Sequence, residues 1–382
     1  MKEVAMPWKE QTLMSLRVQF VQSLLEGDSS LSQLCRQFGI SRKTAYKWIA
    51  RFREGGWSAL ADRSKRPIHS PTRTEDSTED AVLRVRDLHK AWGARKIASF
   101  LSNQGFHQLP APSTITAILR RHGRIDPSQS SKHKPFIRFC MQSPNQLWQM
   151  DFKGHFMLGD GQSCHPLTIL DDHSRFLLAL RACPNETRIT VEQELTRTFR
   201  LFGIPERMLM DNGSPWGGTS QTPHTKLVVW LMHIGIAVSH GRPFHPQTQG
   251  KDERLHRTIS EELLRGRSFR NLQECQEAFD LWREVYNTQR PHEAIGMRTP
   301  ECMYEPSSRA FPEVLPAIIY EEGEQVRKVD KTGKVYFRNR AFRVGKGFAG
   351  YLVGIRPGEE EGIFEVVFGT QKVGVIELAK GV

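Results

Sequence analysis

Leu147-Trp148-Gln149-Met150-Asp151-Phe152 sets one acid inside an alternating apolar stretch. Successive side chains of a strand point to opposite faces, so Trp148, Met150 and Phe152 share one face. Asp151 falls on the other, with Gln149 and Lys153. A second such stretch, Arg207-Met208-Leu209-Met210-Asp211, ends on an acid and runs into the turn pair Asn212-Gly213. Gly213 is expected to supply a positive φ there. A third acid, Glu253, opens a predicted helix after the loop His245-Pro246-Gln247-Thr248-Gln249-Gly250. An ionised group is costly to bury without partners. A divalent cation shared by Asp151, Asp211 and Glu253 is one such partner, and carboxylate oxygens suit Mg2+ or Mn2+. Two ions about 3.5–4 Å apart serve an in-line displacement on a phosphodiester.

Spacing alone leaves a bland alternative open, because the chain holds 42 Asp and Glu residues. Asp151 then pairs with a cation at a strand end, Asp211 is an ordinary turn residue and Glu253 a favourable charge at a helix N-terminus. Asp160, Asp171, Asp172 and Asp252 are rival acids. Asp171 and Asp172 precede His173-Ser174-Arg175, which reads as a hairpin turn, so a structural role suits them better.

The 382 residues suffice for about two to four domains. A formal net charge of +12 favours a polyanionic partner, nucleic acid before an acidic membrane surface. No apolar run approaches the roughly 18 residues needed to span a bilayer, and the N-terminus lacks a signal-peptide core. A cytoplasmic, nucleoid-associated location is expected, with no membrane partner. Six scattered cysteines without a CxxC pair signal neither zinc nor a disulfide framework and read as reduced, partly buried residues.

Two helical modules precede the acids. Within residues 1–57, the segment from Leu31 to Ile49 reads as helix, turn at Gly39 and a second helix capped by Ser41. Its apolar face leaves Arg42, Lys43, Thr44 and Lys47 exposed, the pattern of a helix-turn-helix whose second helix enters the major groove. A basic linker spans 58–75. A second helical, helix-turn-helix-like domain spans 76–123, with helices at 91–101 and at 113–121, the latter capped by Ser113. It reads either as a second DNA reader or as a spacer. A connector spans 124–143. Strands at 146–153, 165–172, 175–182 and 206–211 with intervening helices predict a mixed α/β domain over 144–306. Short glycine-broken strands over 317–382 predict a small β-barrel or sandwich. The fold class is therefore multidomain: all-α, then α/β, then all-β.

The chain resembles the insertion-sequence transposases with a retroviral-integrase-type core. The resemblance rests on Trp148-Gln149-Met150-Asp151-Phe152, Leu170-Asp171-Asp172-His173-Ser174-Arg175-Phe176 and Asp211-Asn212-Gly213-Ser214-Pro215. It continues through His245 to Arg254, Tyr286-Asn287-Thr288-Gln289-Arg290-Pro291-His292 and Thr299-Pro300. It implies a ribonuclease H-like fold and an Asp-Asp-Glu triad on Asp151, Asp211 and Glu253. With that come two Mg2+ (or Mn2+) ions, double-stranded DNA as element ends and target, and a homo-oligomer, dimer or higher, that holds two ends. The reading is of a transposase that cuts at terminal inverted repeats and joins the 3′-hydroxyl to target DNA. A ribonuclease H-like nuclease and a DNA-binding regulator with an inactive core are the alternatives. Lys251 and Arg254, flanking Glu253, are candidate phosphate ligands, and His245, Gln247 and Gln249 read either as DNA contacts or as loop caps. Trp216 is read as a base-stacking or packing residue, and Arg290 and His292 as anchors of the last helix.

Overall fold

A computed structural model gives the architecture; it describes residues 13–63, 74–125, 140–218, 224–241 and 250–378. The chain divides into two compact units, Met1–Arg73 and Thr74–Val382.

In the first unit, α1 (Leu13–Glu26), α2 (Leu31–Gln37) and α3 (Arg42–Gly55) enclose Phe20, Val21, Leu34, Ala45, Trp48 and Leu60. The turn between α2 and α3 is made by Gly39 at φ +62°, a left-handed conformation that glycine adopts without penalty. Ser41 caps α3 by accepting the Thr44 N–H at 3.2 Å. The Arg17 guanidinium lies 4.0 Å from the centroid of the Trp48 ring, so α1 covers the back of α3.

The second unit opens with α4 (Asp76–Leu88), α5 (Ala94–Asn103) and α6 (Pro112–Arg121), packed around Val82, Trp92, Ile97, Ile115 and Ile118. Ser113, the expected cap of α6, lies inside the helix. In the structure Pro112 is already the first helical residue, Ala111 precedes it and no side chain caps the end. Proline fits there because it has no N–H to leave unsatisfied. Ser99 Oγ on α5 donates to the Met297 carbonyl at 3.1 Å, which ties this helix to a loop late in the same unit.

A mixed sheet comes next, from β1 (Leu147–Phe152), β2 (Phe156–Met157), β3 (Ser163–Asp171), β4 (Leu177–Cys183), β5 (Arg207–Met210) and β6 (Ala237–His240). Its order is β4-β3-β1-β5-β6, with β2 paired to the start of β3. The β1, β3 and β4 pairings are antiparallel, whereas β5 joins β1 and β6 joins β5 in parallel. This is the ribonuclease H-like arrangement the resemblance implied. Helices α7 (Arg188–Phe202) and α8 (Lys226–His233) cover the face carrying Trp148, Met150, Met208 and Met210. Helices α9 (Gly250–Ile259) and α10 (Leu272–Thr288) cover the other with Leu255, Ile259, Phe279 and Trp282.

The C-terminal strands are β7 (Gln325–Lys328), β8 (Lys334–Phe337), β9 (Arg340–Arg343), β10 (Leu352–Pro357), β11 (Ile363–Phe368) and β12 (Gln371–Glu377). Four form the antiparallel sheet β12-β11-β10-β7 and two the hairpin β8-β9. That hairpin turns through Arg338 and Asn339, both at positive φ, as a two-residue turn between right-twisted strands requires. Their shared core takes in Val229 from α8, so this sheet is seated on the α/β domain. The six cysteines are free, four of them buried. Among the described residues no helix is long and apolar enough to cross a membrane.

A Cβ on Gly347 would run into the His224 carbonyl and the Thr225 backbone at the start of α8. Gly347→Ala is expected to cost about 1–3 kcal/mol by overpacking. Limited proteolysis of the variant should release the C-terminal strands faster than from the wild type; equal release would show that the contact is not confining.

Candidate active site

Trp148 stands opposite Met208 and Gln149 opposite Leu209 along β1 and β5. Continuing that register by two residues sets Asp151 level with Asp211 at the carboxyl ends of neighbouring parallel strands, the edge where open α/β sheets bind ligands. Asp151 lies on the face opposite Trp148 and Met150, as the alternation predicts. That face is the one covered by α9, which carries Glu253 in its first turn.

The Asp151 carboxyl is pushed up to about 7, first by burial and then by the negative charge of Asp211, with smaller contributions from Glu186 and Glu253. The two strand-end acids therefore repel, and Glu253 is near enough to add to the repulsion. His256, one turn beyond Glu253, reaches Asp151 as well, its Nδ1 3.9 Å from Oδ2. Burial pushes this imidazole down to about 4, so it is neutral at pH 7 and the contact is not an ion pair. Its Nε2 meets Thr168 Oγ1 at 2.9 Å, and that hydroxyl donates to the Asp151 carbonyl at 3.0 Å. With the hydroxyl hydrogen so used, Nε2 must carry the imidazole proton, and Nδ1 presents a lone pair to Asp151.

Asp211 sits in a built turn. Its Oδ1 accepts the Gly213 N–H at 2.8 Å and the Trp216 indole N–H, and its carbonyl accepts from His240 Nδ1 at 2.8 Å. Asn212 donates to the Gly241 carbonyl at 2.8 Å. Gly213 is not in the left-handed region expected for it. What its missing side chain permits is close approach: a Cβ there would lie 2.9 Å from Asp211 Oδ2. Trp216 is buried and stacks on Phe152 at 5.4 Å and 7°, so its ring packs beneath the site instead of facing a base.

Glu253 is exposed. Among the described residues no three His, Cys, Asp or Glu side chains are gathered closely enough to ring one metal ion. Asp151, Asp211 and Glu253 thus share one rim and one field without closing on a common point. The donor chemistry nonetheless fits a hard divalent cation: oxygen ligands, and a carboxyl whose protonation is raised by a like charge that a cation would offset. His245, Gln247 and Gln249 lie outside the described residues.

Lys251, expected to hold a phosphate, instead turns its ammonium inward onto the carboxylate of Asp172, which is fully buried and needs a cation. Arg254 is exposed. Asp252 faces the core, fully buried, and neither of its oxygens has a hydrogen-bond partner among the described residues. Burial, with the charges of Asp151 and Asp172 after it, raises its carboxyl well above the usual range. Asp171 is structural, as read: it accepts Ser174 N–H and Oγ–H on one oxygen and the Asn145 N–H on the other. Arg290 pairs with Glu262 at 3.0 Å and is buried beside His292, which fits their anchoring role. On α3, Arg42 Nη2 donates to Ser32 Oγ at 2.7 Å, Lys43 and Lys47 are exposed, and Thr44 Oγ1 lies 3.0 Å from Ser41 Oγ. Tyr46, absent from the residues expected to read DNA, is 61% exposed on the same face. An aromatic between two lysines on a helix whose other aromatics face inward was the available signal.

Family models match along most of the chain. A helix-turn-helix domain matches residues 16–68, a homeodomain-like domain 44–119, an integrase core domain 141–246 and again 234–300, and an IS481 family transposase C-terminal domain 324–381. The insertion element IS407 uncharacterized 31.7 kDa protein of Burkholderia multivorans is 25% identical over 248 residues, 63% of this chain and 86% of that protein. The transposase for transposon Tn552 of Staphylococcus aureus is 25% identical over 274 residues, 64% of this chain; the chain spans only 55% of that relative. Among solved structures, the HTLV-2 integrase catalytic core domain in complex with magnesium is similar over 43% of this chain and 99% of that one, at 16% identity and TM-score 0.33.

In metal-free protein, Asp151 keeps a proton in the fold up to about pH 7, against 3.8 ordinarily. A carboxyl whose folded pKa is raised weakens the fold as pH rises from about 4 to 7, and the full penalty stands above that. Asp151→Asn is therefore expected to raise the unfolding free energy at pH 8 by on the order of 1–3 kcal/mol. Near pH 4 it should change little. Urea titrations at the two pH values check this. Magnesium should stabilise the wild type at pH 8 and leave the variant unmoved.

Proposed function

Because the chain belongs to the insertion-sequence transposases with an integrase-type core and an N-terminal helix-turn-helix, we propose that it moves its own element. It binds the terminal inverted repeats, cuts a strand at each end to free a 3′-hydroxyl, and joins that hydroxyl to target DNA by in-line transesterification. The observation that carries this reading is the rim itself: Asp151 and Asp211 end neighbouring parallel strands, under the helix that brings Glu253.

Asp151, Asp211 and Glu253 are the residues that would hold two Mg2+ (or Mn2+) ions. Bound there, the ions supply positive charge to the phosphoryl oxygens and make a water or a 3′-hydroxyl acidic enough to attack. The chain's own groups set the conditions. Asp211 is kept in place by Gly213, Trp216 and His240, so its second oxygen points where its turn directs it. The neutral imidazole of His256, with Thr168, fixes the strand segment at Asp151 and adds no competing charge.

On the first unit, Arg42, Lys43, Thr44 and Lys47, with Tyr46 beside them, are the face proposed to read element ends in the major groove. Arg254 is proposed to hold a DNA phosphate near the core; Lys251 is not, since Asp172 holds it. Among the C-terminal strands, Arg327, Lys328, Lys334, Arg340 and Arg343 are exposed, as is Tyr336. The single acid in residues 325–346, Asp330, is spent on its own turn with Thr332 and Lys334. That surface suits sequence-independent contact with the DNA backbone. Two ends must be held at once, so a dimer or larger homo-oligomer on DNA in the cytoplasmic nucleoid is proposed.

The test uses labelled duplexes from the DNA flanking the reading frame with supercoiled target and magnesium. Joined product is expected. Nicking without joining would reassign the chain as a nuclease, and binding without nicking as a regulator. Asp151→Asn should abolish cutting and spare end binding; an active variant would remove the metal role. Lys43→Ala should weaken binding to element ends by roughly 1–3 kcal/mol if a bidentate base contact is lost. Unchanged discrimination between end and random duplex in a gel-shift competition would count against α3 as the reader.

A further inference from the structure

Asp172, in the turn after β3, is fully buried and has no part in the proposed metal chemistry. Its carboxylate takes donors from three places: Gln149 Nε2 on β1 at 2.6 Å, the Met141 N–H at 2.9 Å, and the Lys251 ammonium in the first turn of α9. The Lys251 ammonium also reaches the Asp172 carbonyl at 3.4 Å. Gln149 lies two residues before Asp151 and on the same face of β1. Lys251 lies two residues before Glu253. One carboxylate therefore ties the strand of the first acid to the helix of the third.

Stability alone is a poor reason for this arrangement. A cation in the first turn is opposed by the helix dipole, and burying an ion pair returns little once its desolvation is met. The best-attested use of such a pair is to fix register. Register is what α9 needs, because consecutive helical residues point about 100° apart. Asp252, Leu255 and Ile259 face the core. Lys251 lies on one flank of that face, and Glu253 and His256 lie on the other, toward Asp151. His256 ties its flank to β3 through Thr168. Pinning Lys251 on the opposite flank leaves the helix no freedom to roll.

We propose that Asp172 is a positioning residue: through Lys251 it sets the rotation of α9 and so holds Glu253 toward Asp151 and Asp211. The proposal rests on the Asp-Asp-Glu reading, and two readouts separate them. Hydrogen exchange in residues 250–259 of Asp172→Asn should quicken relative to wild type, with β1 and β3 unchanged. The magnesium concentration for half-maximal cutting of a labelled flanking-DNA duplex should rise roughly 10–100-fold, as when an outer support of a metal ligand is lost. Lys251→Gln should repeat both effects and Lys251→Arg should largely restore both, which also covers the case in which Asp172→Asn does not fold. A folded Asp172→Asn or Lys251→Gln with unchanged exchange in α9 would overturn the proposal. So would a loosened α9 with an unchanged magnesium midpoint. If the wild type cuts nothing, the Asp-Asp-Glu reading fails, and slow or fast exchange in the variants still decides whether Asp172 holds α9.

Discussion

Two carboxylates of like charge are forced together by backbone pairing. The parallel alignment of β1 with β5 fixes Asp151 beside Asp211 whatever their side chains prefer, and burial then sharpens the repulsion until one of them keeps a proton near neutral pH. A sheet register cannot slip by one residue without moving Trp148, Met150, Met208 and Met210 out of the core. The apolar packing on one face therefore enforces the electrostatic strain on the other. Such a rim is adapted to positive charge arriving from outside the chain.

The surroundings manage that strain unevenly. Asp211 is well supported by donors from its own turn and from β6, and Asp171 and Asp172 are saturated with partners. Asp151 and Asp252 are not: the first is crowded by acids and the second is buried without a donor among the described residues. An apolar side chain at 252 would pack more cheaply against Leu255 and Ile259. Its acid instead is held toward the protonated form by burial and by the charges of Asp151 and Asp172.

Much of this was legible in the sequence because it rests on period and punctuation. The alternation around Asp151 gave its face, the Asp-Asn-Gly run marked the turn after β5, and Gly39 with Ser41 marked the boundary between α2 and α3. The failures have physical causes as well. Gly213 was read for its φ, whereas its use is steric and depends on where a neighbouring carboxylate folds back. Lys251 was read as a surface cation because its partner, Asp172, lies far away in sequence and is buried only by the tertiary fold. Arg340-Ala341-Phe342-Arg343 has hardly any apolar alternation; it is a strand because a tight turn delivers it to β8. The distance from Glu253 to the other two acids belongs to the same class, set by how a helix is rolled on a sheet.

The indole of Trp216 shares a hydrogen bond with the very carboxylate that faces Asp151, and its ring lies flat on the neighbouring Phe152. Light emitted by an indole depends on the charge held at its N–H. The fold has thus wired a chromophore to the centre of the molecule's electrostatics, so that whatever arrives to neutralise that acid also changes the colour and brightness of this one ring.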